Sequence, residues 1–428
     1  MAKRIGVLGS FDTKGEELLF LCDRILQCAC EPVLIDASLG EESAVPTDIS
    51  SRDVAAAAGK DIHQIRASKD THAVTEMMIR GASLVVRELH SAGRLDGIVA
   101  IGGASNTGLA TRVMGVLPFG VPKLMVSSMA AVPAYAGSYF GTKDIAILHS
   151  VVDIAGLNPL LENLLARAAG AVCGMAQAGA GALDLAAGDR RKPRVAMTEF
   201  KFSEICCRHA ARLLAEAGVE VVAFHAQGIG DRAMEELVEE GLVDGVLDVV
   251  PGGIAEELLG GNRAAGPHRL ETAGSRGVPQ VVTPCGFDML SCGPLERGDR
   301  GDPLWVSRQL SKRKLFVPDA LRVQARTSAE ELLQVAEVVA EKLNRSTGAT
   351  RVLIPTRGWS SLSEEDMPLW DPEADRAFTG RLRQRLSAAV SVREVDLALN
   401  TTEFAELAVA ELLEAMGVPV LGLSAKTV

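Results

Sequence analysis

The chain has 428 residues, more than a single hydrophobic core usually holds, so two domains are expected. Its formal net charge of −11 argues against a nucleic acid or an anionic membrane as a partner, and its composition, 47% hydrophobic, is that of a globular protein. No segment reaches the ~18 consecutive apolar residues of a membrane span.

The cysteines and the N-terminal residues favour a cytoplasmic protein. The eight cysteines form no CxxC pair, so reduced thiols are expected rather than a zinc site. The first residues run directly into a predicted strand and show no signal-peptide pattern. A homodimer is the expected oligomeric state, because dimers are the commonest oligomers.

The first half of the chain alternates short apolar runs with segments of helical periodicity. This alternation predicts an α/β fold with a doubly wound parallel sheet. Residues 130–143 are expected to form a loop, and 158–177 a long helix. The predicted strands are 4–8, 32–36, 97–101, 123–126 and 144–148.

A strand–turn–helix junction opens the chain, with Gly9, Ser10, Asp12, Thr13, Lys14 and Gly15 in its turn. Backbone N–H groups and the positive end of a helix suit a phosphate group at such a junction. Lys14 adds a positive charge and Asp12 a possible Mg²⁺ ligand. This junction is not a Walker motif, because Lys14 precedes the second glycine instead of following it. The alternative is an ordinary helix cap formed by Asp12 or Thr13, and the local pattern leaves both interpretations open.

Further candidate ligand-binding residues lie beside the other predicted strands. Ligands of open parallel sheets bind beyond the carboxyl ends of the strands. Asp36 ends the second strand, where it could bind a ribose or cap a turn. The remaining candidates provide glycine N–H groups, hydroxyls and amides, which suit a phosphate or a polyhydroxy ligand. They are Gly102, Gly103, Ala104, Ser105, Asn106, Thr107, Ser127, Ser128, Gly141, Thr142 and Asp144.

The pattern restarts after an alanine- and glycine-rich stretch. Residues 95–103 resemble 243–253, and residues 120–127 resemble 277–284. We interpret this as an internal duplication that produces two Rossmann-like doubly wound domains, with a cleft between them. Chance similarity between buried strands is the alternative. The expected division is a nucleotide-binding domain at 1–180, a linker at 181–192 and a second domain at 193–428.

Polar residues that follow predicted strands of the second half are candidate catalytic groups. His225 could act as a general base, or it could simply hydrogen-bond to a neighbouring loop. An arginine such as Arg263 suits a carboxylate or phosphate. Lys201 and Asp288 complete the set. The turn at 199–204 lacks glycine, so a second nucleotide site is not expected, and 293–313 is predicted to be a long mobile loop or lid.

The chain contains several long motifs, among them Asp12–Glu17, Gly141–Ile145, Ser150–Asn158, Ile354–Ser360 and Asp371–Asp375. These motifs resemble those of the tomato mosaic virus resistance protein-like ATP-binding domain family. The resemblance covers nearly the whole chain and implies two Rossmann-like domains with ATP bound in the first. It thus implies ATP as a cofactor, and we expect Mg²⁺ to accompany it, with Asp12 or Asp144 as the metal ligand.

These observations predict a cytosolic ATP-binding enzyme that acts on a small acidic substrate in the cleft between the domains. Phosphoryl transfer and ATP-dependent condensation both fit this expectation. The alternative is a non-catalytic ATP-binding regulatory protein, since the plant member of the family binds a viral replication protein. A weaker alternative is a sugar-acid or sugar-phosphate enzyme that works without ATP.

Overall fold

The computed structural model describes residues 2–179 and 192–419. Within the chain there are two compact units, Met1–Asp184 and Leu185–Val428. The predicted linker at 181–192 lies outside the described residues except for Lys192.

The first unit is built on a five-stranded parallel sheet with the order β2-β1-β3-β4-β5. Its strands are β1 (Lys3–Gly9), β2 (Cys30–Asp36), β3 (Gly97–Gly102), β4 (Lys123–Ser127) and β5 (Ala146–His149). Its helices are α1 (Phe11–Gln27), α2 (Ser51–Ala57), α3 (Ile62–Ala67), α4 (Thr71–Ser91), α5 (Ala104–Met114), α6 (Pro133–Phe140) and α7 (Pro159–Ala178).

Helices cover both faces of this sheet. Alternate residues of β1 point to opposite sides, so Ile5 and Val7 pack with α1 and α7, whereas Leu8 packs with α2, α4 and α5. The chain passes from β1 outward to β2 and then returns to place β3 on the other side of β1. The topological switch point therefore lies between β1 and β3.

The second unit contains a six-stranded parallel sheet with the order β14-β13-β9-β8-β6-β7 and a three-stranded antiparallel sheet with the order β10-β12-β11. Its strands are β6 (Arg194–Glu199), β7 (Glu220–His225), β8 (Gly245–Asp248), β9 (Gln280–Val282), β10 (Met289–Ser291), β11 (Leu315–Phe316), β12 (Gln324–Arg326), β13 (Thr350–Pro355) and β14 (Val390–Val395). Its α-helices are α8 (Glu204–Glu216), α9 (Ile229–Glu239), α10 (Gly253–Leu259), α11 (Thr272–Ser275), α12 (Glu296–Asp299), α13 (Pro303–Ser307), α14 (Ala329–Leu343), α15 (Pro372–Arg385) and α16 (Thr402–Ala415).

The two parallel sheets have the same core topology. The order β2-β1-β3-β4 of the first sheet corresponds to β7-β6-β8-β9 of the second. The similar sequence segments fall on the matching strands, β3 with β8 and β4 with β9. The expectation of two Rossmann-like parallel-sheet domains is therefore confirmed.

Three local expectations were wrong. The predicted loop at 130–143 contains α6, and the fifth strand begins at Ala146, two residues later than expected. The predicted lid at 293–313 contains α12 and α13. Trp305 anchors it, because this residue is only 5% exposed and its Nε1 donates to the Cys292 carbonyl at 2.8 Å. In the described part of the chain, no helix has the length and apolar character needed to cross a membrane.

Candidate functional site at the switch point of the first sheet

The switch point between β1 and β3 is the position where an open parallel sheet has room for a ligand. The chain leaves β1 into α1 on one face of the sheet and leaves β3 into α5 on the other face. The amides at the start of these two helices are consequently the backbone donors nearest the crevice. Their hydrogen bonds decide which of them a ligand could use.

The amides at the start of α1 all have acceptors within the protein. Those of Phe11 and Asp12 donate to the Asp36 carboxylate at 3.3 Å and to the Ser38 hydroxyl at 3.1 Å. The next two amides donate to the Ser10 carbonyl at 3.3 and 2.9 Å. The predicted phosphate turn at 9–15 thus has the bonding of a capped helix start, and these four amides are not free for a ligand.

Asp36 is the residue that organises this turn. Its side chain is 2% exposed, and its Oδ1 accepts from the amide of Phe11, from the amide of Ser38 at 2.9 Å and from the Ser38 hydroxyl. The sequence left Asp36 open as a ribose ligand or a turn cap. These contacts are those of a cap, and a ribose contact stays a prediction.

The start of α5 is different, because it has no cap. Its N-cap residue, Gly103, has no side chain to accept a hydrogen bond. Among residues 2–179 and 192–419, no acceptor lies within hydrogen-bonding reach of the amides of Ala104, Ser105 and Asn106. By contrast, α2, α4 and α7 are capped by the side chains of Ser50, Asp70 and Asn158. The first turn of α5 therefore offers free donors at the positive end of a helix.

A buried hydroxyl pair fixes the geometry of this turn. Thr107 is fully buried and its hydroxyl donates to the Gly103 carbonyl at 2.7 Å. The Ser127 hydroxyl lies 2.7 Å from the Thr107 hydroxyl and accepts from the amide of Met129 at 3.0 Å. Because the Thr107 proton is used on Gly103, Ser127 donates to Thr107. The ends of β3 and β4 are thereby tied together, and the amide of Ser128 adds a bond to the Gly102 carbonyl at 3.2 Å.

The space around the two glycines of the turn differs. A Cβ on Gly102 would lie 2.6 Å from the Cβ of Asn106, whose side-chain Nδ2 donates to the Ile101 carbonyl, so only glycine fits at position 102. A Cβ on Gly103 would meet only the Ser128 hydroxyl, at 3.8 Å. The backbone in front of α5 is consequently open to a ligand.

Asp12 carries the polar atom at this edge that most clearly lacks a partner. Its Oδ2 accepts from the amide of Gly40 at 3.1 Å. Its Oδ1 is buried and has no hydrogen-bond partner among the described residues. A buried carboxylate oxygen of this kind is normally satisfied by a donor, a water molecule or a cation.

The predicted site residues did not include the segment that follows β5, although Ser150–Asn158 is one of the motifs named above. The ammonium group of Lys14 donates to the Ile154 carbonyl, and the carboxylate of Glu17 accepts from the amide of Gly156 at 2.8 Å. Lys14 is also the one non-helical residue inside α1, with φ −127° and ψ 24°. The segment could have been found from its position, because it follows a strand in the same way as the other candidate loops.

The candidates Gly141, Thr142 and Asp144 lie at the opposite edge of the sheet. They precede β5, and Asp144 accepts from the buried ammonium group of Lys123 at 2.7 Å and from the amide of Gly120 at 2.9 Å. Both partners stand at or before the beginning of β4. In a parallel sheet the strand beginnings share one edge, so Asp144 and Asp12 lie at opposite edges and cannot serve the same ion. Of the two alternatives for the metal ligand, only Asp12 lies at the edge of the switch point, and a metal contact of either residue stays a prediction.

The four candidate catalytic residues of the second unit do not form a linked set. Asp288 is fully buried, where it accepts from the amide of Gly286 at 3.0 Å and from the Ser360 hydroxyl at 2.6 Å. Lys201 is exposed and pairs with Glu204 at 2.7 Å. No hydrogen bond or ion pair in the described structure joins any two of Lys201, His225, Arg263 and Asp288.

The equivalent switch point of the second sheet is filled by a buried ion cluster that the sequence did not reveal. Arg269 is 1% exposed and pairs with Asp231 at 2.9 Å, Asp248 at 2.7 Å and Glu235 at 3.1 Å. Asp248 ends β8 and also accepts from the Thr198 hydroxyl of β6 at 2.8 Å. Burial raises the pKa of Asp231 even though the Arg269 charge opposes this shift. The guanidinium group of Arg269 thus occupies the switch point of the second sheet, whereas the switch point of the first sheet has the free amides of α5.

Within the described ranges, no three His, Cys, Asp or Glu residues gather in an arrangement that could hold a metal ion. This does not bear on Mg²⁺ held mainly by a ligand's phosphates, because such sites use one or two carboxylates and water. Asp12, with its unpartnered Oδ1, fits that single-carboxylate role.

The fold and this strand-end site define a two-domain, doubly wound α/β protein with one open switch point. The chain belongs to the uncharacterised protein family UPF0261, whose N-terminal domain matches residues 3–180 and whose C-terminal domain matches residues 192–416. UPF0261 proteins of Clostridium tetani and Brucella suis are 35% and 33% identical to it. The alignments cover 95% of this chain in each case, and 97% and 94% of the respective relatives.

A plant protein is also similar over most of the chain. The ToMV resistance protein Tm-1 of Solanum lycopersicum is 26% identical over 435 residues, which cover 96% of this chain and 55% of the plant protein.

Proposed function

We propose that the first unit binds the phosphate groups of a nucleotide at the start of α5. The observation that carries this proposal is the set of unpartnered amides of Ala104, Ser105 and Asn106 at the switch point between β1 and β3. Helix starts with free amides attract phosphate through hydrogen bonds and through the helix dipole. The Thr107–Ser127 pair holds these amides in position.

We further propose ATP as the nucleotide and Mg²⁺ as its counterion. Asp12 is the residue that would hold the ion, because its Oδ1 is buried and unpartnered and Mg²⁺ prefers oxygen ligands. When bound, the ion would neutralise part of the phosphate charge. Lys14 directs its ammonium group to the Ile154 carbonyl, so in this proposal it positions the segment after β5 rather than the phosphate.

The reaction remains a separate question, with two candidate answers. The first is an ATP-dependent enzyme that acts on a small acidic substrate. The second is a non-catalytic nucleotide-binding protein. The bonding of Asp288 favours the second, because its buried carboxylate accepts hydrogen bonds from the Gly286 amide and the Ser360 hydroxyl and so has a structural role. The similarity to a plant resistance protein is compatible with such a binding role.

Calorimetric titration of the full chain with ATP, ADP, AMP and adenosine, with and without Mg²⁺, tests the binding proposal. We expect the affinity to fall as phosphates are removed and adenosine to bind weakest. Equal affinity for all four ligands, or no heat with any of them, would contradict it. A phosphate-release assay with ATP and a panel of carboxylic acids then separates the two candidates, because turnover beyond one equivalent requires an enzyme.

A further inference from the structure

A cavity lies in the first unit, beyond the carboxyl end of β2. Its volume is ≈180 Å³, and it is bounded by the segment 42–47, by the first residues of α2, and by Ile62 and Arg66 of α3. This is below the roughly 300–1,000 Å³ of pockets that enclose drug-sized ligands, so a small ligand is expected. The polar side chains that matter for its chemistry are Asp36, Glu42, Thr47, Ser51, Arg52 and Arg66.

Arg66 provides an unsatisfied positive group in this cavity. One of its terminal nitrogens, Nη2, donates to the Glu41 carbonyl at 3.0 Å and to the Ser51 hydroxyl at 3.2 Å, both of them neutral acceptors. Its Nε is buried and has no hydrogen-bond partner, and no carboxylate pairs with it in the described part of the chain. The neighbouring Arg52 differs, because it pairs with Glu42 at 3.2 Å. A guanidinium with a spare buried N–H calls for an oxyanion.

Asp36 gives the cavity a negative group in addition to the positive Arg66, and the hydroxyls of Thr47 and Ser51 line the same cavity. Asp36 accepts all its protein hydrogen bonds on Oδ1. A bare phosphate ion would meet a carboxylate as well as a guanidinium here. A ligand that carries one oxyanion together with hydroxyl groups meets the complementary partner at both ends, because its hydroxyls donate to carboxylate and threonine oxygens.

We propose that this cavity binds a small polyhydroxy acid, a sugar acid or a sugar phosphate. Its oxyanion is held by Arg66, and its hydroxyls lie against Asp36 and Thr47. The site is carried by its own residues and does not depend on nucleotide binding at the start of α5. Carboxylate and phosphate are two sources of the same oxyanion chemistry, and the ligands of the test distinguish them.

The test is calorimetric titration of the full chain with gluconate and with ribose 5-phosphate. Hexanoate serves as the acid without hydroxyls, and glucose as the sugar without charge. We expect at least one of the first two to bind and both comparison ligands to bind more weakly. Arg66→Gln should weaken binding roughly 10- to 100-fold, because charge-assisted hydrogen bonds are lost, and Arg66→Lys should restore only part of it. The matched control is Arg80→Gln on the exposed surface of α4, which should change nothing.

Three results would overturn the proposal. They are no binding of either polyhydroxy acid, equal binding of hexanoate, and full binding by a folded Arg66→Gln variant. If Arg66→Gln does not fold, Thr47→Val in the 42–47 segment replaces it, and unchanged affinity in that variant contradicts the site. ATP titration of the same chains separates the two sites. If the wild-type chain does not bind ATP, the nucleotide proposal alone is refuted, and the cavity proposal is judged by the polyhydroxy acids.

Discussion

The hydroxyl groups of Thr107 and Ser127 lie 2.7 Å apart in the core of the first unit, where they join the first turn of α5 to the end of β4. Neither side chain reaches the surface. The pair therefore contributes to the site by fixing the backbone in front of α5, and it links the stability of the unit to the geometry of the free amides.

Replacing Thr107 by valine keeps the shape of the side chain but removes both hydrogen bonds. We expect the free energy of unfolding to fall by ~1–3 kcal/mol, because the Gly103 carbonyl and the Ser127 hydroxyl lose a buried partner. Nucleotide affinity should fall as well, since the turn loosens. The matched control is Thr75→Val on α4, where the hydroxyl bonds only to the Thr71 carbonyl near the surface and the cost should stay within ~0.5 kcal/mol. Urea unfolding measures both, and equal costs would contradict the role of the pair.

The two carboxylates once considered for Mg²⁺ should behave differently when each is changed to asparagine. Asp12→Asn should remove most of the Mg²⁺-dependent gain in ATP affinity and leave the affinity without Mg²⁺ nearly unchanged, because only the proposed ion ligand is lost. Asp144→Asn should leave the Mg²⁺ dependence intact but lower stability, since the buried Lys123 ammonium group loses its ion pair. Calorimetry at varied Mg²⁺ concentration distinguishes them, and loss of the Mg²⁺ effect in Asp144→Asn would contradict the geometry.

Glu256 should make the stability of the second unit depend on pH. The side chain is fully buried on α10, and burial raises the pKa of this carboxyl group to about 7 from its ordinary 4.5. The folded chain therefore holds a proton between these pH values that the unfolded chain has released. The contribution of Glu256 to the free energy of unfolding is therefore fully present below pH 4.5. It falls by roughly 3 kcal/mol as the pH rises from 4.5 through 7.

Urea unfolding at pH 4.5, 6 and 7.5 measures this effect. Glu256→Gln should flatten the pH dependence, because the group no longer titrates. The exposed neighbour Glu257 provides the control, and Glu257→Gln should keep the wild-type slope. A Glu256→Gln chain with an unchanged slope would contradict the assignment.

The sequence was sufficient for the architecture, because buried parallel strands read as apolar runs and each run is followed by a helical pattern. It was also sufficient to find the Gly102–Thr107 turn, which follows its strand directly. Asp144 stands at the beginning of the fifth strand in the expected bounds, 144–148, as well as in the observed ones, Ala146–His149. It was grouped with residues that follow strands, although only the carboxyl ends of parallel strands share the ligand edge.

The hydrogen bonding of the turn at 9–15, between β1 and α1, could not have been predicted from the local sequence pattern. Its amides are taken by Asp36 and Ser38, which are 25 and 26 residues away from their partners along the chain. The Arg269 cluster also depends on residues that are distant along the chain, because its carboxylates come from α9 and β8. The turns at the starts of α1 and α5 are similar in sequence pattern. Which of them keeps its backbone N–H groups free depends on side chains that meet them only when the sheet forms.

The measurement that tests the central claim most directly is the ATP affinity of Ala104→Pro. Ala104 is the first residue of α5, and proline suits that position because Gly103 before it is extended, with φ −83° and ψ −158°. The substitution thus deletes one free N–H without disturbing the helix. The control is Ala329→Pro at the first position of α14, which follows the extended Ser328. We predict that Ala104→Pro weakens ATP binding about 10-fold or more at unchanged stability, the worth of one hydrogen bond to a charged group, while Ala329→Pro binds ATP like the wild type. Wild-type affinity in a folded Ala104→Pro chain would contradict the claim that the start of α5 holds the phosphate.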